Sequence, residues 1–315
     1  QGRNRRQRLM PADEFSLIAR YFSALGAGPA VELGVGDDCA ILALQTGERL
    51  ATSVDTVVED VHFPADSLPE DVAYRAVAAA ASDLAAMGAR PLGMTLALTL
   101  PAADELWLHS FSQGLAAAAS AFSLPLVGGD TTRGPLTITV QVLGALPPGL
   151  ALTRGGAQPG DGLYVSGTLG DAAAGLAVLQ GGYRPGLDAA EYLEQRFFRP
   201  TPRLALGATL LNTATAAIDL SDGLLADAGH IAAASGVQLH IDAQALPLSS
   251  ALQAHPDRAQ VLAWALAGGD DYELCFCLPA AVQPPAGCSR IGQVTVGEGV
   301  VCPGFEPLAP GYNHF

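Results

Sequence analysis

A proline–proline–glycine break at residues 147–149 divides the chain, and on both sides of it strand-like runs alternate with alanine-rich helical ones. Proline fixes φ and removes a donor, so no helix or central strand runs through such a break. At 315 residues the chain also exceeds one ordinary core. Two α+β domains are therefore expected, over residues 14–148 and 149–315, with residues 1–13 as a disordered extension. In the first half the periodicity predicts helices over residues 15–22, 68–87 and 104–122, and strands over 50–56, 94–100 and 136–143. Ser67 followed by Glu70 reads as a capping box opening the second helix. In the strand over 50–56, the period of two puts Ser53 and Asp55 on one face and Val54 on the other. The second half predicts strands over 162–166, 216–219, 237–241 and 272–278.

Charge narrows the chemistry. The net charge is −15, which argues against a nucleic-acid binder. The one basic run is Arg3, Arg5, Arg6 and Arg8 in the extension. No stretch approaches the roughly 18 apolar residues of a membrane span. The five cysteines are scattered without a CxxC pair, which suits a reducing cytoplasm and gives no thiolate metal site. Cys275 and Cys277 fall at strand period and are expected to pack in the core. Lysine is absent, so all sixteen basic residues are arginine. That excludes a Walker phosphate loop, a protein-kinase strand lysine and a Schiff base.

Acidic residues recur beside glycine at Gly36-Asp37-Asp38, Gly128-Gly129-Asp130, Asp219-Leu220-Ser221-Asp222-Gly223 and Gly268-Gly269-Asp270-Asp271. Any one of these alone is ordinary turn chemistry. Asp83 is harder to place, because it lies deep in a helix among Ala, Leu and Met, where an ionised carboxylate is costly unless paired. Carboxylates brought together repel unless divalent cations stand between them. Mg²⁺ takes carboxylate, water and phosphate oxygens. Glycines let backbone N–H groups approach phosphate closely. Residue chemistry alone thus points to an enzyme of Mg²⁺ and polyphosphate.

The segments EFSLIARYF, VELGVGDDCAIL, SVDTVVEDVHF, SDLAAMGARP, LVGGDTTRGPL, ALTRGGAQPGD, AIDLSDGLLADAGHI, GGDDYELCF and GYNHF occur in this order from residue 14 to the last residue. In them the chain resembles the thiamine-monophosphate kinases of the aminoimidazole-ribonucleotide-synthetase-like superfamily. The resemblance implies an N-terminal α+β domain whose sheet pairs with a second subunit, a C-terminal α/β domain, and a homodimer. It implies ATP as co-substrate, thiamine monophosphate as acceptor and several Mg²⁺ ions. Asp38, Ser53, Val54, Asp55, Asp83, Asp130, Asp219 and Asp222 match the family's metal ligands. Gly129, Asp130, Arg154 and Ser221 match its nucleotide contacts. His62, Asp270 and Tyr312 match its contacts to thiamine monophosphate, and Asp83, Asp130 and Arg154 are the residues expected to carry catalysis.

Two positions depart from the family pattern. Val54 stands where relatives often have Thr, and strand phase leaves only its carbonyl able to reach a metal. Asp270 stands where Glu is often found, one methylene shorter. The implied reaction is direct in-line transfer of the ATP γ-phosphoryl group to an acceptor that is already an anion, with no strong base required. The alternative readings are another ATP-dependent synthetase of the superfamily and a non-catalytic nucleotide- or metal-binding protein. Against the first stand the GGDTTRG segment and the lack of an N-terminal Cys loop. Against the second, every matched acid is present.

Overall fold

The computed structural model describes residues 14–305. The first half carries helix α1 (Glu14–Tyr21), a short antiparallel pair β1 (Val31–Leu33) and β2 (Ile41–Leu42), and strand β3 (Arg49–Val58). Helix α2 (Pro69–Met87), strand β4 (Arg90–Leu100), helix α3 (Glu105–Phe122), and strands β5 (Leu126–Arg133) and β6 (Thr137–Leu146) follow. Strands β3 to β6 form one sheet in the order β3-β6-β4-β5, parallel between β4 and β5 and antiparallel elsewhere.

Small side chains let α2 lie close to its neighbours. Val72, Ala76, Val77, Ala80, Ala81 and Leu84 are buried in one cluster with Leu108, Phe111 and Leu115 of α3 and with Met94, Leu96, Ile138 and Val140 of the sheet. Each fully buried Leu or Phe in such a cluster stabilises the fold by roughly 1.5–3 kcal/mol. A helix apolar nearly all round belongs in an interior. Accordingly, Ala85 and Ala86 at the far end of α2 pack into a second cluster with Leu210, Ala217, Leu274 and Phe276 of the other half. Helix α2 is thus the spine shared by both halves.

One end of that spine corrects the capping box. The N-cap residue is Leu68, without a side-chain cap, and Pro69 occupies the first turn. The Ser67 hydroxyl donates instead to the Pro64 carbonyl, and Glu70 accepts a hydrogen bond from Ser110 of α3. Proline at the first helical position has a preset φ and no N–H to cap, so the helix starts there. Asp104, by contrast, caps α3 by accepting from the N–H groups of Leu106 and Trp107.

The second half opens with strand β7 (Gly162–Ser166), helices α4 (Asp171–Leu179), α5 (Leu187–Phe198) and α6 (Leu204–Leu210), and strand β8 (Ala216–Asp219). Helix α7 (Leu224–Ser235), strand β9 (Gln238–Ile241), helices α8 (Ser250–Gln253) and α9 (Arg258–Ala267), and strands β10 (Leu274–Leu278), β11 (Cys288–Thr295) and β12 (Gly299–Val301) complete it. The sheet order is β12-β9-β11-β7-β10-β8. Strand β10 is buried along its whole length, and Cys275 and Cys277 lie in its core as expected. Together the two sheets and their helices make the two-domain α+β architecture. Among the described residues no helix is long and apolar enough to cross a membrane.

Strand β3 alternates as its sequence predicts. Ser53 and Asp55 face inward and are half-buried, while Val54 is 58 % exposed on the other side of the sheet. That outer side mixes exposed Leu50 and Val54 with polar groups: Thr56 pairs with Thr139 at 2.9 Å, and Gln141 donates to Thr52 at 3.2 Å. No helix of the described chain covers it.

Candidate active site

Three carboxylates from three elements approach one another where the two halves meet. Asp55 comes from β3, Asp83 from near the C-terminal end of α2 and Asp219 from the end of β8. Strand period aims Ser53 and Asp55 inward together, and the Ser53 hydroxyl donates to Asp83 Oδ2. Burial, and then the charge of Asp83, push the Asp55 carboxyl up to about 6. Burial first and Asp83 second push Asp219 up to about 7. Ser53, Asp83 and Asp219 line a cavity of about 460 Å³, and Arg154 and Arg49 line it too. The cavity therefore joins a cluster of repelling carboxylates to two guanidinium groups.

Asp38, Gly129 and Asp130 line a second cavity of about 540 Å³, apart from that cluster. Asp38 sits in the turn after Gly36, where its N–H donates to Asp37 Oδ1 at 2.8 Å. Gly129 and Asp130 lie on β5, hydrogen-bonded alongside Leu96 and Ala97 of β4. A Cβ on Gly129 would stand 2.0 Å from the Leu96 carbonyl oxygen. Only glycine allows that approach, so the two parallel strands close tightly at the cavity wall.

The loop after β8 wraps around a residue that sequence reasoning passed over. The N–H groups of Ser221, Asp222 and Gly223 all donate to Asp227 Oδ2, at 3.0, 3.1 and 3.1 Å. Burial, then the charge of Asp222, nonetheless push Asp227 up to about 7. Asp222, Asp227 and His230 bring their ligand atoms within 4.8 Å of one another, the one such group of three among the described residues. Asp222 thus groups with Asp227 and His230, whereas the ligand atoms of Asp55, Asp83 and Asp219 do not all lie within 4.8 Å of one another. The signal for the missed pair was Asp-x-x-His at helical spacing on α7.

The donor set of the wider cluster fits a hard cation. It offers carboxylate and hydroxyl oxygens with no nitrogen or sulfur, and burial first, then the charge of Asp83, raises its Asp55 and Asp219 carboxyls.

Two models of the AIR synthase related proteins match the sequence, the N-terminal domain over residues 36–146 and the C-terminal domain over residues 158–302. Thiamine-monophosphate kinase of Escherichia coli K12 is 48 % identical, over 97 % of this chain and 99 % of that one. The chain belongs to the thiamine-monophosphate kinase family. The enzyme from Stenotrophomonas maltophilia K279a has the same fold, with TM-score 0.83 and 45 % identity over 88 % of this chain and 92 % of that one. AaThiL, solved with AMPPCP and TMP, superposes with TM-score 0.80 at 34 % identity, over 89 % of this chain and 92 % of that one.

In this kinase two of the three expected acceptor contacts, His62 and Asp270, lie among the described residues. His62 lies in the turn after β3, where its Nδ1 accepts from the Val58 N–H at 3.1 Å. Tyr312 lies outside the described residues, as does the expected extension. Asp270 stands in a loop of left-handed backbone, with φ of 61° at Asp270, 50° at Tyr272 and 70° at Gly269. Such conformations cost a non-glycine residue of order 1 kcal/mol or more each. They are held by Asp270 N–H to the Ser221 carbonyl and Tyr272 N–H to the Leu220 carbonyl. A side chain on Gly269 would meet the Ser221 carbonyl at 2.5 Å. The Asp270 carboxylate pairs with Arg75 of α2 at 2.8 Å.

Behind that loop lies a buried polar network. Glu273 is fully buried and accepts from two Arg203 nitrogens at 2.6 Å, from Arg196 at 3.1 Å and from Ser166 at 2.5 Å. Asp271 accepts from the Gly170 N–H at 2.8 Å, and burial pushes its carboxyl up to about 8. These residues carry the strained loop and touch neither cavity.

Proposed function

We propose that this kinase transfers the γ-phosphoryl group of ATP in line to the phosphate of thiamine monophosphate, giving thiamine diphosphate and ADP. The observation that carries this reading is the cavity that Asp83, Asp219 and Ser53 share with Arg154, with Asp55 interacting electrostatically with Asp83. AaThiL, bound to AMPPCP and TMP, supports the choice of ATP and thiamine monophosphate. Asp38, Ser53, Asp55, Asp83, Asp130, Asp219 and Asp222, with the Val54 carbonyl, are the groups that would hold several Mg²⁺ ions. Bound there, Mg²⁺ neutralises phosphate charge as it develops.

The protein's own part is to bind and align. Gly129 admits the backbone to the nucleotide phosphates, Ser221 lies against the nucleotide, and Arg154 pairs with phosphate oxygens. The acceptor phosphate is an anion at neutral pH, so positioning and charge neutralisation replace a general base. His62 and Asp270 contact the acceptor. Two copies pair through the outer face of the first sheet around Val54. With ATP as co-substrate and its cysteines free, the enzyme works in the cytoplasm.

A discontinuous assay with ATP, Mg²⁺ and thiamine monophosphate, read by chromatography, tests this function. Thiamine diphosphate that disappears on chelation of Mg²⁺ supports it; product from free thiamine or from an aminoimidazole precursor, with none from thiamine monophosphate, contradicts it. Gly129→Ala is expected to lower kcat/KM for ATP by about 100-fold, since it displaces a phosphate-facing strand by roughly an ångström. In sedimentation a dimer is expected, and Val54→Arg should convert it to monomer.

The raised carboxyls give a pH signature. Asp55 and Asp219 titrate above their ordinary value of 3.8, so the folded protein holds protons that the unfolded chain has released. Their contribution to stability is full below about pH 4 and is lost as pH rises through about 6 and 7. Metal-free protein should accordingly lose thermal stability from pH 5 to 8. Mg²⁺ competes with these protons, so it should raise the unfolding temperature more at about pH 8 than at about pH 5. An equal rise at both would contradict a carboxylate metal centre.

A further inference from the structure

We propose that Arg75 is a positioning residue for the acceptor substrate, acting through Asp270. This rests on the reading of Asp270 as a contact for thiamine monophosphate. The Arg75 side chain is 3 % exposed, against 30 % for that of Asp270, so the pair reaches from the interior to an accessible carboxylate. Its guanidinium lies 4.0 Å from the Phe197 ring centroid and 6.0 Å from that of Tyr272. One nitrogen donates to the Phe197 carbonyl at 2.7 Å and another meets Asp270 Oδ1 at 2.8 Å.

The Tyr272 hydroxyl donates to the same Oδ1 at 3.2 Å. Both donors converge on one carboxylate oxygen, which leaves Oδ2 as the acceptor for a ligand. Because the backbone at Asp270 and Tyr272 is left-handed, the loop does not rest in this shape by itself. The ion pair and the hydroxyl bond hold the side chain where the strain would let it relax.

Stability alone does not explain the arginine. Its Nε is buried without a hydrogen-bond partner, and a buried ion pair of this kind is often no more stabilising than apolar residues of similar volume. What it adds is a fixed distance. Arg75 and Asp83 are eight residues apart on α2, about 12 Å along the axis. One rigid helix therefore sets the spacing between the acceptor loop and the carboxylate cluster. Burial and then Asp270 raise the Tyr272 phenol well above its ordinary value, while Arg75 lowers it.

Steady-state kinetics of Arg75→Met, Arg75→Lys, Asp270→Asn and the double variant Arg75→Met/Asp270→Asn decide the matter. Arg75→Met should raise KM for thiamine monophosphate about tenfold or more while KM for ATP stays within about twofold. Arg75→Lys should recover part of that loss. The double variant should be no worse than Asp270→Asn alone, because one residue acts through the other. Equal rises for both substrates, or losses that multiply in the double variant, would overturn the proposal. Should Arg75→Met show no cooperative unfolding, the same comparison on Arg75→Lys carries the test. Wild-type protein inert toward thiamine monophosphate would instead remove the underlying reading.

Discussion

Asp83→Asn is expected to lower kcat by about 10²–10³-fold or more while the metal-free protein unfolds at the same or a higher temperature. Asp83 is the hub of the cluster. Its charge raises both Asp55 and Asp219, and Ser53 donates to it. Asparagine keeps the shape and one carbonyl acceptor, but removes the negative charge that a cation needs. Without that charge the two neighbouring carboxyls repel less, so the fold gains what the chemistry loses. Opposite movement of turnover and stability is the mark of a site built against its own electrostatics. Turnover near that of the wild type, or a large fall in unfolding temperature, would show Asp83 to be structural.

Glu273→Ala is expected to act the other way, by destabilising the second half by about 3–5 kcal/mol. Glu273, itself in the interior, takes a two-pronged bond from the partly exposed Arg203, a third from Arg196 and a fourth from Ser166. Its removal leaves Arg196, 14 % exposed, facing Asp171 at 3.6 Å as its nearest remaining carboxylate. Breaking a buried pair on one side costs far more than never having built it. In a chain of this size the loss corresponds to a fall of roughly 10 °C in unfolding temperature. Differential scanning calorimetry reads it directly, and a shift below about 1 kcal/mol would mean that water or a rotated arginine replaces the carboxylate.

The sequence carried the element pattern well because strong periodicities were also the ones that packing confirmed. The inward aim of Ser53 and Asp55, the length of α2, and the burial of Cys275 and Cys277 all follow from local period. The start of α2 did not, since Pro69 overrides the Ser67–Glu70 signal and leaves both side chains to other partners. Asp83 was legible as a carboxylate out of place in an apolar helix. Arg75 was not, because its partner Asp270 is far along the chain and only the fold joins them. Asp227 and His230 were missed for a different reason. They sit in a segment whose Asp219 and Asp222 already drew attention, and the turn that folds three N–H groups onto Asp227 has no signature in composition. Sheet order likewise arises from long-range pairing that no local pattern encodes.

A metal centre at Asp55, Asp83 and Asp219, shared with nucleotide phosphates, is what the proposed reaction requires. Anomalous diffraction from crystals grown with Mn²⁺ and a non-hydrolysable ATP analogue tests it most directly. Peaks within coordination distance of Asp83 and Asp219, lost in Asp83→Asn crystals that still hold the nucleotide, are the expected result. Bound nucleotide with Mn²⁺ only at Asp222, Asp227 and His230, or with none beside Asp83, would contradict it.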